Sequence, residues 1–195
     1  MAEVYNFSDL DLTKTYNYSD YLLWKFDERV ELIKGFILKM SPTPSLIYQR
    51  VSQNLLDCFY ENFKRKPCSF FVAPFDVRLP IKSSKKDTTV VQPDLCIICD
   101  ETKQDEKSCN GTINLIVGII SPNNNNHDIH TKFNIYNEAV ALEYWIIEPY
   151  DKLLLVYTLK DNDYIGLPPQ TKGENIKSPL FPDLNIALED VYYKI

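Results

Sequence analysis

The sequence is poor in glycine and has no long apolar runs, and each scarcity excludes a class of protein. With five glycines it has no glycine-rich phosphate loop, and it has no G-x-S-x-G elbow of a serine hydrolase. Residues 1–5 lack the basic and apolar regions of a secretory signal, and runs such as residues 153–156 are too short to span a bilayer. We therefore expect a cytoplasmic protein that does not enter membranes.

Positive charge is also scarce. The formal net charge is −6 and the isoelectric point is about 5.0. A general electrostatic attraction to nucleic acid is not expected, because contacts with phosphates require lysine and arginine. Any action on DNA must therefore depend on a local site.

The cysteines are five in number, and an odd count without an export signal predicts free thiols and no disulfide. Cys96 and Cys99 form a C-x-x-C pattern, but their segment has the character of a strand, on which residues three apart point to opposite faces. With no second C-x-x-C to complete a site, zinc is not expected. Cys109 lies in a polar segment and is predicted to react first with an alkylating reagent.

The remaining composition is that of a globular protein, with 45% hydrophobic and 25% charged residues. A chain of 195 residues fits one domain. We expect a single unit over residues 1–195, with a core at about 16–160 and short strands with a final turn at 164–195.

The periodicity predicts alternating helices and strands. Asn17, with Asp20 three residues later, predicts the start of a first helix, and Ser45 predicts the start of a long one. Apolar residues around Gly35 predict a β-hairpin at 30–40. Further strands are predicted at 69–72, 75–79, 90–99, 113–120, 143–147 and 152–159, a helix at 128–139 and a final turn at 188–192. This order predicts an α+β (mixed α/β) fold with a central mixed β-sheet flanked by helices.

Five short motifs stand out along this pattern. They are V-E-L-I-K-G at 30–35, P-F-D-V at 74–77, V-Q-P-D-L at 91–95, L-I-V-G-I-I-S-P at 115–122, and D-x3-K-x3-Y at 128–136 followed by E-Y-W-I-I at 143–147. In this order and spacing they resemble the Uma-two family, a bacterial and cyanobacterial group of endonucleases long filed as a domain of unknown function. The resemblance runs from about residue 16 to residue 184.

The resemblance implies a restriction-endonuclease-like core of the PD-(D/E)-x-K type, with DNA as the substrate and Mg²⁺, or alternatively Mn²⁺, as the cofactor. It places Asp94 at the metal-ligand position and Glu31 at the position of a supporting ligand. Lys132 matches a helical lysine that would position the attacking water, since Ile120 stands at the usual strand-lysine place. Hard oxygen ligands suit Mg²⁺, which neutralises charge on the phosphate.

The main departure from the family is Gly118, which stands where relatives have the strand glutamate. Catalysis has been lost, or the acid has migrated to Asp128 or Glu138, or residue 118 is a substitution in this particular sequence. Because Asp94 alone contributes one unit of charge, we expect any Mg²⁺ to bind weakly. Two further positions differ from the family pattern. Tyr48 stands where many relatives carry histidine, and Phe36 replaces a second acid that is frequent in the hairpin.

These observations give two hypotheses for function. The first is a Mg²⁺-dependent DNA endonuclease that is impaired by Gly118. The alternative is a catalytically inactive nuclease-fold protein that acts as a binding or assembly module, with a homodimer through a sheet edge or the tail as one form. Fold analogy does not decide between them.

Overall fold

Helices and strands follow one another largely as the periodicity predicts. The structure, a computed structural model, describes residues 2–40, 45–85, 87–121 and 126–195, and for residues 126–128 it describes the backbone alone. The α-helices are α1 (Tyr18–Tyr21), α2 (Leu46–Phe63), α3 (Asn126–Glu138) and α4 (Leu188–Val191). Short 3-10 helices occur at Phe7–Asp9 and Glu101–Lys103.

The strands form two mixed sheets. They are β1 (Val30–Ile33), β2 (Phe36–Lys39), β3 (Ser69–Val72), β4 (Asp76–Arg78), β5 (Val90–Val91), β6 (Leu95–Ile98), β7 (Ser108–Asn110), β8 (Leu115–Ile119), β9 (Glu143–Glu148), β10 (Leu153–Lys160), β11 (Asp163–Gly166) and β12 (Gln170–Thr171). The larger sheet has the order β11-β10-β9-β8-β6-β3, with β12 beside β10, and the smaller has the order β2-β1-β5-β4-β7. Both are mixed, because β8–β9 and β4–β7 are parallel while their other pairs are antiparallel. The predicted mixed-sheet α+β class is confirmed, and the smaller sheet is an addition to it.

The larger sheet is covered on both faces. On one face α2 packs a fully buried stripe at spacing four, Val51, Leu55 and Phe59, against strand residues such as Trp145. The predicted cap is present, since the Ser45 hydroxyl accepts a hydrogen bond from the Tyr48 N–H at 3.1 Å. On the other face, α3 and the smaller sheet share a second buried cluster with β6, β8 and β9.

The run predicted as one strand at 90–99 is two strands in different sheets. Val90 and Val91 pair within the smaller sheet, whereas β6 pairs with β3 and β8 in the larger one. Pro93 lies between them and has no N–H to donate to a ladder. The crossing from one sheet to the other therefore places Asp94 immediately before β6.

Two predictions about the cysteines are wrong. Cys68 and Cys99 form a disulfide. In the pair of β3 and β6, Ser69 is opposite Ile98, and the two cysteines come directly before β3 and directly after β6. Cys109 is fully buried, since its segment is β7 and pairs in parallel with β4. Burial raises the pKa of the Cys109 thiol to about 11, which opposes the reactivity expected of it.

Cys96 and Cys99 lie on opposite faces of the larger sheet, as predicted. Cys96 is buried in the cluster below α3, and Cys99 packs against the cluster below α2. Of the helices in the described part of the chain, none has the length and hydropathy needed for a membrane span.

Candidate active site

Asp94 is held at the start of β6 by two hydrogen bonds. Its Oδ2 atom accepts the backbone N–H of Ile119 at 2.6 Å, and its Oδ1 atom accepts the hydroxyl of Tyr48 at 2.5 Å. Burial raises the pKa of Asp94, and these hydrogen bonds and the charge of Lys132 lower it in part. The carboxylate is therefore fixed between the end of β8 and the first turn of α2.

Gly118 lies directly across from Asp94. In the antiparallel pair of β6 and β8, Leu95 is opposite Val117, so the register brings Asp94 and Gly118 to the next position. An ideal Cβ placed on Gly118 would lie 3.2 Å from the hydroxyl oxygen of Tyr144. Residue 118 therefore faces Asp94, with a tyrosine hydroxyl beside it.

Glu31 and Lys132 form a buried ion pair. The Lys132 ammonium contacts Oε2 of Glu31, and the exposed fractions of the two side chains are 15% and 1%. The other carboxylate oxygen, Oε1, accepts the backbone N–H of Gln92 at 2.7 Å. The hairpin strand β1 and helix α3 thus deliver their charged side chains to one place.

A second layer of polar contacts surrounds Gln92. Its amide Nε2 donates to Oδ1 of Asp76 at 3.0 Å, and its Oε1 accepts Nη2 of Arg29 at 2.9 Å. The Tyr21 hydroxyl also donates to Asp76, at 3.1 Å. Because the N–H of Gln92 binds Glu31, this layer fixes the position of the Glu31 carboxylate.

The charges of these groups act on one another. The charge of Lys132 lowers the pKa of Asp94 and that of Glu31 raises it. The buried hydroxyl of Tyr136, one turn beyond Lys132 on α3, has its pKa raised by burial first and then by Glu31, Tyr144 and Asp94. The structure therefore pairs Glu31 with Lys132 and places Asp94 two residues beyond Gln92, whose N–H binds Glu31.

The two candidate substitute acids are placed differently. The Glu138 carboxylate forms a 2.7 Å ion pair with Lys34 and hydrogen bonds with Ser83, which keep its pKa low despite burial. Within the described residues its contacts are these two, and Asp94 is not among them. The side chain of Asp128 lies outside the described part of the chain.

The described residues do not fit a fully ligated divalent ion. Mg²⁺ takes six oxygen ligands in octahedral geometry. Asp94 faces Gly118 in place of a second carboxylate, and Glu31 is already paired with Lys132. Among the described residues no group of three histidine, cysteine, aspartate or glutamate side chains is arranged to hold a metal.

Three contributors were not nominated from the sequence. Tyr48 was noted only as a replacement for histidine, yet it is a hydrogen-bond donor to Asp94. Gln92 and Tyr144 lie within two of the motifs, but the residues they contact, such as Glu31 and Gly118, are distant in sequence. Their positions follow from the pairing of strands and not from sequence spacing.

The sequence and the fold both resemble known proteins. The profile of a family described as "Putative restriction endonuclease" (Uma2) matches residues 18–189. A crystal structure of "a putative nuclease belonging to DUF820" from Anabaena variabilis ATCC 29413 superposes with a TM-score of 0.69 at 14% sequence identity, covering 91% of this chain and 97% of that one. No curated protein matches the sequence. Since the profile spans well over half of its length, the chain belongs to the Uma-two family of restriction-endonuclease-like proteins.

Proposed function

We propose that this chain is a DNA endonuclease of its family whose divalent-metal site is incomplete, so that it cleaves phosphodiester bonds weakly. The observation that carries the proposal is the position of Asp94, which is held by Ile119 N–H directly across from Gly118. The polar framework of a two-carboxylate site is therefore retained while one carboxylate is missing.

Each charged residue has a role in this proposal. Asp94 is the metal-ligand carboxylate, and Tyr48 and Ile119 orient it. Glu31 is an auxiliary acid that holds Lys132, and Lys132 orients the water that attacks the phosphate. Mg²⁺ or Mn²⁺, when bound, would neutralise charge that develops on the phosphate.

A second function, a catalytically inactive binding or assembly module, is favoured by a different observation. Glu31 and Lys132 form a buried ion pair, in which each charge is compensated by the other without a metal or a substrate. Under this alternative the polar cluster serves the fold, and DNA or a second copy of the chain is bound elsewhere.

A cleavage assay on supercoiled plasmid, with Mg²⁺ and with Mn²⁺, separates the two. We expect the unaltered chain to nick DNA feebly and Gly118→Glu to raise the rate by about tenfold or more, which is the scale at which groups that support a metal alter activity. Gly118→Gln is the matched control, because it brings the same bulk against Tyr144 without the charge. Asp94→Asn should abolish the cleavage that Gly118→Glu restores.

The side chain at residue 118 must displace the Tyr144 hydroxyl slightly, because a Cβ contact of 3.2 Å is tighter than ordinary packing. Gly118→Glu with Tyr144→Phe removes that oxygen and serves as the second test. Robust cleavage by both the unaltered chain and Gly118→Glu would show that another acid, such as Asp128, has replaced the strand glutamate. A folded Gly118→Glu that binds Mn²⁺ and does not cut DNA would favour the binding module.

A further inference from the structure

The Lys132 ammonium is largely buried among the polar side chains of the candidate site. It contacts a glutamate that is 1% exposed, and the lysine side chain is 15% exposed. A buried charge without a partner is strongly unfavourable, so each member of this pair depends on the other. The second oxygen of Glu31 is fixed by Gln92 N–H, which keeps the carboxylate in place for the lysine.

The charges around this pair can be counted from the contacts. The outer layer is balanced, because Gln92 joins the positive Arg29 to the negative Asp76 through its amide. The inner layer, among the described side chains, holds two acids and one positive group: Glu31 is paired with Lys132 and accepts the N–H of Gln92, and Asp94 lies two residues further along the chain. A divalent ion added to this inner layer would leave an excess positive charge in a poorly hydrated place.

We propose that Lys132 is the resident cation of this site: its ammonium takes the place of a divalent ion beside Glu31, and the unaltered chain therefore binds Mg²⁺ and Mn²⁺ weakly. The inference concerns the site of the proposed nuclease but does not depend on cleavage. Neutrality with a divalent ion is reached by two independent changes. Removal of the lysine charge leaves two acids to match the two positive charges of one ion. Addition of an acid at residue 118 leaves three acids to match one ion and the lysine together.

The position of Gly118 makes the second change feasible. It faces Asp94 across the strand pair, and the backbone N–H of the following residue, Ile119, already binds Asp94. A carboxylate introduced there would start opposite Asp94 and beside the Tyr144 hydroxyl. The two changes affect different elements, α3 and β8, so a common structural artefact does not explain a shared result.

The test is a Mn²⁺ titration of the full chain without DNA, followed by the electron paramagnetic resonance signal of free Mn²⁺ and by the unfolding temperature. The variants are the unaltered chain, Lys132→Met, Lys132→Arg as the charge-retaining control, and Gly118→Glu. We expect Lys132→Met and Gly118→Glu each to bind Mn²⁺ with a Kd about tenfold or more below that of the unaltered chain, as expected for a change of one charge at close range. Lys132→Arg should behave as the unaltered chain, and adding Asp94→Asn to Lys132→Met should remove the new binding.

The results decide the proposal even where a variant folds poorly. A Lys132→Met chain that is unfolded alone and becomes folded with Mn²⁺ supports it, because the ion then replaces the missing ammonium. Tight Mn²⁺ binding by the unaltered chain, equal to that of Gly118→Glu, would overturn it. If Gly118→Glu binds Mn²⁺ but leaves DNA uncut, the nuclease function fails while the role of Lys132 stands.

Discussion

Tyr48 shows how one side chain can determine the geometry of a carboxylate. Its hydroxyl donates to Asp94 from the first turn of α2, and its pKa is raised by burial and by the charge of Asp94, so it remains a donor at neutral pH. A histidine at this position would place a titrating donor beside the acid. Tyrosine makes the contact independent of pH through the neutral range.

Replacing Tyr48 by phenylalanine should destabilise the protein by about 1.5–3 kcal/mol, the range for a hydrogen bond to a charged group. The ring would still pack beside α2, so the loss reports the hydroxyl alone. The measurement is the free energy of unfolding in urea. Tyr60→Phe is the matched control, because Tyr60 lies on the same helix and is 56% exposed. An equal effect of the two substitutions would contradict the assigned hydrogen bond.

At the scale of elements, the buried acid Glu143 links strand β9 to the C-terminal segment by hydrogen bonds. Glu143 is fully buried and accepts three hydrogen bonds, from Trp145 Nε1 at 2.7 Å, Ser178 Oγ at 2.6 Å and Leu180 N–H at 3.0 Å. These contacts bring residues 178–181 against the end of the larger sheet. The E-Y-W motif therefore has a structural role at its first residue.

The titration of Glu143 gives a pH dependence with a definite sign. Burial raises its pKa above the usual 4.5, so the folded protein binds this proton more tightly than the unfolded chain does. The stabilisation from that proton is present at low pH and is lost as pH rises from about 4.5 through the raised pKa of the folded state.

Glu143→Gln removes this titration, because glutamine stays neutral. We expect the free energy of unfolding of the unaltered protein to fall relative to that of Glu143→Gln as pH rises from the ordinary carboxyl range toward neutrality. Urea unfolding of both proteins over that range measures it. A difference between the two that does not vary with pH would show that Glu143 titrates normally.

Much of the order of elements could be predicted from the sequence, because capping and periodicity are local. Asn17 and Asp20 form the expected capping box at α1, and the β1–β2 hairpin turns at Lys34 and Gly35, both with positive φ. The parallel pairing of β7 with β4 was not predictable, since it joins short segments distant in sequence. The transfer of the chain between sheets at Pro93 also depends on tertiary packing and has no periodic signal.

Parts of the candidate site were predictable for a different reason. The motif resemblance nominated Asp94, Glu31 and Lys132, and the structure pairs Glu31 with Lys132, while the roles of all three remain proposals. Sequence alone did not show that Glu31 is paired with Lys132 or that a tyrosine hydroxyl lies beside Gly118. Such contacts depend on which strands pair and on how α3 packs.

For the whole molecule, the Cys68–Cys99 disulfide closes a loop with a sequence separation of 31 residues. Constraining the unfolded chain over a loop of this length should stabilise the fold by about 3–4 kcal/mol. We expect the double variant Cys68→Ser and Cys99→Ser to have a free energy of unfolding lower by that amount. Urea unfolding measures it, with the oxidised protein as reference. Peptide mapping without reductant should recover residues 68 and 99 in one linked pair, and two free thiols at these positions would contradict the assignment.

Residue 118, beside Asp94, also bears on ancestry. The glycine codons GGA and GGG each differ from a glutamate codon by one nucleotide, so with either of them a single base change places glutamate at residue 118. The neighbour nearest to an added Cβ is a tyrosine hydroxyl and not backbone, so a new side chain would have to displace a hydroxyl and not a strand. With such a codon a lineage keeps a short mutational route between glycine and glutamate at this position. Selection of plasmid libraries for DNA damage in a host cell would find that route if it exists.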